Sequence, residues 1–514
     1  MNWHLMSYKK GNLTEKAGVV VFARIITTVI DLAIVIATIQ ILSKTDFAII
    51  GYLLMIHEVA RNLATLGFPE SVFYYFERIS GSAKRGFTAQ TTVILLSTGL
   101  MAGAFILIVS YFAPNLLTEW DPFSVNQVQD LLPWMGLLAV LEIPTWPVTN
   151  VLLALDKQRQ SALYEMLTSL MSFGCLVGPL ALGYGLDIAV YGLVLYGFVR
   201  FFVSIIWMHI ALPKGKLSVS EITVKQQSNF SLPLGFSALT NKINKYVDKF
   251  VVSILLPAAA YAEYTIGAQE VPIIRVIPFA VGSVLISRYV SLQLEDKKED
   301  LLKLWYKGVE KVSLLVIPLT VMSIVIAPDL ISLIAESEGT DYSNAVLPFQ
   351  IYNLIVLMRV THYGSILQAF GDTKGIFYVS INLVAANVIL SIPFTIMWGI
   401  NGTATSTLIA NFYNWFVVLR RIGGHMELPF YKVLPFPFYL KVMGTAMLVA
   451  IPVWVGRFSF IDPDMIIRGL IFSIVFYLLL FSLVGTLFKI ITPADWSNFK
   501  NWIMLKFLKG KDSD

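Results

Sequence analysis

AGVVVFARIITTVIDLAIVIATIQIL, residues 17–42, is the stretch on which the fold turns. A helix needs roughly 20 apolar residues to cross a bilayer, and this run exceeds that length. It carries only two charges, Arg24 and Asp31, two helical turns apart on one face. The run is too long for the apolar core of a secretory signal and has no convincing small-residue cleavage site, so it reads as a retained first span behind a polar, basic start, residues 1–16.

Runs of the same kind recur along the chain. Five more precede a polar stretch, at 47–66, 87–112, 131–155, 161–182 and 188–212. Six follow it, at 230–256, 264–288, 309–326, 345–370, 376–397 and 402–422, and two close the series at 439–455 and 466–488. The chain is therefore expected to be an all-α polytopic membrane protein with about fourteen transmembrane helices. Its organisation reads as an N-lobe over 1–212, a cytoplasmic connector over 213–229, a C-lobe over 230–422, two further helices within 423–488, and an interfacial tail over 489–514. In that tail Trp496, Phe499 and Trp502 lie beside Lys500 and Lys506. Composition agrees: of 514 residues 56% are hydrophobic and 14% charged, with a mean hydropathy of +0.72, more apolar surface than one water-soluble core buries.

Loop charge sets the orientation. One set of loops holds nearly all the basic residues, among them Lys84, Arg85, Lys157, Lys214, Lys298, Lys374 and Arg421, whereas the opposite set has only Lys44 and Arg457. Basic loops stay cytoplasmic, which places both termini there. The basic residues are scattered instead of forming one domain, which argues against nucleic-acid binding despite a formal charge of +5. The single cysteine, Cys175, excludes an internal disulfide. No phosphate-binding loop, zinc signature or large external loop is present, so neither a catalytic site nor a metal site is expected. This disfavours an integral glycosyltransferase or ligase.

The informative residues are charges inside the spans, each costing at least about 2.5–3.5 kcal/mol unless it faces a cavity or a partner. The first span has Arg24 and Asp31, and the second has His57, Glu58 and Arg61. The fourth has Glu142 beside Pro144 and Pro147, which should kink the helix and free carbonyls near the carboxylate. The seventh has Lys242, Lys245, Asp248 and Lys249, the eighth Glu270 and Arg275, and the tenth Arg359 and His362. In the second lobe Lys242, Lys245, Lys249, Arg275 and Arg359 outnumber Asp248 and Glu270 by three. In the first, Asp31, Glu58 and Glu142 outnumber Arg24 and Arg61. Unbalanced cations suggest an anionic substrate, diphosphate first, and the carboxylates Asp31, Glu58, Glu142, Asp248 and Glu270 are candidates for ion coupling. The competing expectation is internal pairing of Arg61 with Glu58, of Lys245 or Lys249 with Asp248, and of Arg275 with Glu270. Arg200 and Arg288 read as interfacial anchors. A spaced echo, Asp31, Asp46 and Phe47 against Asp248, Glu263 and Tyr264, hints at two related halves.

Several short motifs occur in order over roughly residues 13–422. They are Ile41-Leu42-Ser43 followed by Phe47 and Gly51, then Leu66-Gly67-Phe68-Pro69-Glu70-Ser71, Asp248, and Tyr264 with Ala268. Leu367-Gln368-Ala369-Phe370-Gly371-Asp372-Thr373 and Trp398-Gly399-Ile400-Asn401-Gly402-Thr403-Ala404 complete the series. On these the chain resembles the polysaccharide-exporter, O-antigen-type branch of the multidrug/oligosaccharidyl-lipid/polysaccharide (MOP) flippase superfamily. The resemblance implies two six-helix lobes in a V around a central cavity, plus two C-terminal helices. It also implies alternating access that carries a polyprenyl-diphosphate-linked oligosaccharide, an O-antigen or exopolysaccharide repeat unit, across the inner membrane. No cofactor is implied beyond a coupling proton or sodium ion; membrane lipid and other polysaccharide-assembly proteins are the implied partners. Relatives use cavity arginines for the diphosphate, and Arg24, Arg61 and Arg275 match in helix number and approximate depth. One departure is Thr403, Ala404 and Thr405 where small residues are usual. The alternative is a multidrug or cation antiporter of the same superfamily, which would favour an acidic cavity.

Overall fold

The computed structural model describes residues 10–79, 81–216, 219–335, 340–462, 465–493 and 497. The tail helix expected over 495–509 thus lies outside the described residues, residue 497 excepted. The regular structure of the described residues is helical, with no strand: α1 (Lys10–Ile41), α2 (Lys44–Thr65), α3 (Phe68–Phe76), α4 (Ala83–Leu116), α5 (Pro122–Glu142), α6 (Pro147–Ala154), α7 (Gln158–Ala181), α8 (Leu186–Ala211), α9 (Val224–Leu255), α10 (Ala258–Gly267), α11 (Pro272–Leu294), α12 (Lys298–Val325), α13 (Ala327–Ala335), α14 (Val346–Leu357), α15 (Tyr363–Ala369), α16 (Thr373–Met426), α17 (Phe436–Phe460) and α18 (Ile466–Leu487). Eleven helices among the described residues are long and apolar enough to cross a membrane. One of them, α16, contains two of the expected spans; the other two expected spans are the charged α9 and the interrupted pair α14 and α15.

Two compact units divide the chain between Ala262 and Glu263. In the first, α1 packs along α7, α4 along α5, α5 and α7 against α8, and α9 against α2 and α3. The helix after the polar connector therefore belongs to the first unit. It starts at Val224, before residue 230, because Thr223 and Gln226 form a reciprocal capping box. In the second unit α12 packs against α11 and α17, α17 against α18, α14 against α12 and α16, and α15 against α11 and α16. Trp305 sits at its core, fully buried, its indole Nε1 donating to the Val433 carbonyl at 2.8 Å. Uncovered faces are apolar, as along α4, where Val93, Leu100, Met101, Leu107 and Ile108 are exposed. This pattern suits a protein whose outer solvent is lipid.

The breaks between helices position the site. At the first, Leu66 takes a left-handed conformation (φ 33°) and Gly67 follows at φ 76°. The turn lies so close to α9 that a Cβ on Gly235 would sit 2.2 Å from the Leu66 carbonyl carbon. The second break is the 3-10 turn Ile143–Thr145 between α5 and α6, where Pro144 and Pro147 interrupt the helix as expected. A third lies between α10 and α11 and holds Glu270, and a fourth, between α14 and α15, holds Arg359 and His362.

Within α16 the chain turns at Trp398 (φ −135°, ψ 17°) and Gly399 (φ 58°, ψ −141°). Its two arms are joined by a ladder of small polar side chains. Thr395 and Thr403 hydroxyls lie 2.7 Å apart and those of Ser391 and Ser406 3.0 Å, while the Thr407 hydroxyl donates to Asn387 Oδ1 at 3.1 Å. Thr403, the departure noted in the sequence, is one rung of that ladder. Small residues with hydroxyls are what lets two membrane helices approach closely.

Candidate functional site

In the first unit the charges of α2, the α5–α6 break and α8 form one buried network. Glu142, 5% exposed, is its centre. Arg200 Nη1 donates to Glu142 Oε1 at 2.7 Å and contacts the Tyr196 hydroxyl at 2.6 Å. His57 Nε2 stands 3.3 Å from Glu142 Oε2, and Arg61 Nη1 4.0 Å from Oε1. Arg61 turns its other edge to Glu58, donating from Nη2 at 3.1 Å. Both guanidinium groups lie over the Trp146 ring, 4.6 Å from its centroid for Arg61 and 5.9 Å for Arg200. The Glu142 side of the network is closed, whereas the Glu58 side chain is 39% exposed.

The open edge gathers further charge. Lys245 and Lys249 of α9 and Asp31 of α1 are all within electrostatic reach of Glu58. Asp248 is buried and Lys249 half-buried, while Lys242, Lys245 and Asp31 are exposed. Arg24, also exposed, interacts electrostatically with Glu165 of α7, an acid that a boundary-focused reading of the fifth span passes over.

In the second unit the two helix breaks are tied together. Arg359 Nη1 donates to both Glu270 oxygens, at 2.6 and 2.8 Å, and Nη2 reaches Asn411 Oδ1 at 3.4 Å. The backbone break at 268–271 turns Glu270 toward the α14–α15 break and gives it a partner in Arg359, while the expected Arg275–Glu270 pair falls outside what is described. Arg275 lies in α11, and its side chain is outside the described residues. Arg200, expected as an interfacial anchor, is corrected by its surroundings. It lies midway along α8 with its side chain 12% exposed, held by Glu142 and Tyr196, so it is no interfacial anchor. Its central position in the run 188–212 was the signal. Arg288, by contrast, is exposed. Around the Glu270–Arg359 pair lies a cavity of about 570 Å³ lined also by Phe279, His362, Asn411, Asn414 and Trp415. Asn411, Asn414 and Trp415 share one helix face by spacing, and sequence reasoning missed them because none is charged. No group of three or more His, Cys, Asp or Glu side chains suited to a metal ion occurs among the described residues.

Outside the spans, the motif residue Asp372 caps α16 by accepting from Gly375 N at 2.9 Å. It also accepts from Arg421 Nη2 at 2.8 Å and contacts His425 Nε2 at 2.7 Å. A Cβ on Gly375 would lie 2.0 Å from Arg421 Nε, so only glycine leaves room for the clasp. The Arg421 hydrogen bond, with help from His425 and the helix cap, holds the Asp372 carboxyl well below its ordinary value. A depressed folded-state value means that the stabilisation is complete above the ordinary carboxylate range and is lost as pH falls through the folded value. Between about pH 5 and about pH 3 the wild-type melting temperature should therefore fall more steeply than that of Asp372→Asn. Parallel slopes in detergent-solubilised protein would refute this.

Residues 39–344 match the family described as polysaccharide biosynthesis protein. No curated protein matches the chain. Among solved structures, the lipid II flippase MurJ in an inward closed conformation is similar over 91% of this chain and 98% of its own, with a TM-score of 0.67 and 17% identity. An inward-facing multidrug resistance MATE family transporter of the MOP superfamily is similar over 78% of this chain and 94% of its own, at TM-score 0.62 and 15% identity. A MOP superfamily transporter from Pyrococcus furiosus, described by a binding pocket of reversed polarity, covers 80% of this chain and 93% of its own at TM-score 0.53 and 13% identity. At such identities the likeness is one of fold. The match over more than half of its length establishes that this polytopic membrane chain, folded like the MOP-superfamily transporters, belongs to the polysaccharide biosynthesis protein family.

Proposed function

We propose that this chain is a flippase that carries a polyprenyl-diphosphate-linked oligosaccharide, an O-antigen or exopolysaccharide repeat unit, across the inner membrane by alternating access, with both termini cytoplasmic. The observation that carries the reading is the exposure of three basic side chains inside expected spans, Arg24, Lys242 and Lys245. Such groups are costly against lipid and become favourable where a hydrated cavity admits an anion. Arg61, at the open edge of the buried network, adds a planar donor suited to phosphate oxygens, and Lys249 adds charge behind it. Arg359 is set aside from these contacts because both Glu270 oxygens already accept from it. Asp31 and Glu58, like charges within reach of each other, suit a coupling proton or sodium ion. Glu142, Asp248 and Glu270 serve the charges beside them. The family match and the fold shared with a lipid II flippase support the same substrate class.

Cells depleted of the protein are expected to accumulate lipid-linked oligosaccharide on the cytoplasmic face. Arg61→Ala, expressed at normal level, should cut rescue by about tenfold, and Arg61→Lys should restore only part of it. Absence of accumulation together with altered drug or cation resistance would replace this reading with a multidrug or cation antiporter.

A further inference from the structure

We infer that the cavity of the second unit is a sugar subsite, taking an uncharged pyranose of the glycan while the diphosphate is held elsewhere. The inference rests on the flippase reading and adds to it where the glycan binds and which residues select it. Charge is the first argument. The one guanidinium described in this cavity donates to both oxygens of Glu270, so the pair presents hydrogen-bonding edges with no net charge to attract a diphosphate. Arg359 is thereby fixed as a directional donor that also reaches Asn411.

The lining supplies what a pyranose needs. Trp415 and Phe279 offer flat apolar surfaces for the C–H face of a sugar ring, and the Trp415 indole is held in place by its hydrogen bond to the Tyr363 hydroxyl at 2.6 Å. Asn414, one residue before Trp415, has its side-chain Oδ1 buried with no hydrogen-bond partner among the described residues. An orphaned acceptor costs about 1–3 kcal/mol unless a ligand or water satisfies it, and a sugar hydroxyl is a donor of the right kind. Two interrupted helices meet here, between α10 and α11 and between α14 and α15, and irregular backbone inside a membrane is tolerated where it borders protein or a hydrated cavity. The volume, about 570 Å³, lies in the range of small-ligand sites.

Equilibrium binding to the full-length protein in detergent tests this. One probe is the oligosaccharide released by mild acid from the lipid-linked pool of the producing cell, labelled at its reducing end. The other is polyprenyl diphosphate without glycan. Asn414→Leu and Trp415→Ala should each weaken oligosaccharide binding about tenfold and leave polyprenyl diphosphate within about twofold, with Arg61→Ala giving the reverse pattern. Asn414→Ala removes the same acceptor without adding bulk; it is expected to show the same selective loss and covers the case in which Asn414→Leu misfolds. Variants that leave oligosaccharide binding intact, or weaken both probes equally, overturn the subsite. Wild-type protein that binds polyprenyl diphosphate alone overturns the subsite and leaves the flippase reading standing. Binding of neither probe overturns both.

Discussion

Replacing Glu142 with leucine is expected to destabilise the first unit by about 3–5 kcal/mol, the cost of stranding a buried charge. Arg200 would keep only the Tyr196 hydroxyl as a side-chain acceptor, with 12% of its side chain exposed. The two guanidinium groups over Trp146 would then be left with Glu58, which accepts from Arg61, as the remaining carboxylate of the network. Glu142→Gln keeps the shape and one acceptor but not the charge, so its loss should be intermediate. The double variant Glu142→Leu with Arg200→Leu removes both charges and should regain most of the stability, because well-packed apolar residues often replace a buried pair at little cost. Thermal unfolding of the four proteins in one detergent checks the order. A Glu142→Leu protein as stable as wild type would show that Arg200 finds water or another acceptor, and the buried-network account would fall. Transport separates structure from function: a stable double variant that still fails to rescue export assigns the network a role beyond holding α5 to α8.

The spans were legible because each needs a long apolar run and because basic loops alternate with acidic ones, constraints that act locally along the sequence. The proline break beside Glu142 was legible for the same reason: Pro144 and Pro147 remove donors wherever they stand. Pairing within one helix was legible, as for Arg61 with Glu58, whereas pairing between helices distant in sequence was not. Glu270 and Arg359 are 89 positions apart and meet through two helix breaks, and nothing local to either residue specifies the partner. Depth was misjudged for Arg200, since an arginine in an apolar run reads the same whether it snorkels or is clasped, and only the neighbouring helix supplies Glu142. The Asp372 clasp illustrates a third case. The Phe370-Gly371-Asp372-Thr373 motif is visible, but its use as a helix cap shared with Arg421 and His425 appears only when the end of α16 folds back beside its start.

Gly402→Ala is expected to destabilise the second unit by about 3 kcal/mol or more, at the upper end for overpacking a tight contact. A Cβ there would lie 1.9 Å from the Phe394 carbonyl oxygen, a backbone atom that cannot rotate away, so the two arms of α16 would have to part. Parting them stretches the Thr395–Thr403 rung first, at 2.7 Å, and then the Ser391–Ser406 rung at 3.0 Å. Interhelical hydrogen bonds of this kind contribute about 0.6 kcal/mol each, so most of the cost is steric. Gly399→Ala should cost less, about 1–3 kcal/mol, because nothing lies within 4 Å of its Cβ and only the backbone conformation at φ 58° is strained. Gly424→Ala, also in α16 but with open space around it and an ordinary helical backbone, should be neutral or slightly stabilising. Melting temperatures and folded yield of the three variants are expected to fall in the order Gly424→Ala, Gly399→Ala, Gly402→Ala. A Gly402→Ala protein that melts with Gly424→Ala would mean that the arms stand further apart than described. Asn411, Asn414 and Trp415 ride on the second arm, so a shift that begins at Gly402 should also loosen the cavity around Glu270 and Arg359. Oligosaccharide binding should therefore weaken in Gly402→Ala even in the fraction that remains folded, and stay unchanged in Gly424→Ala.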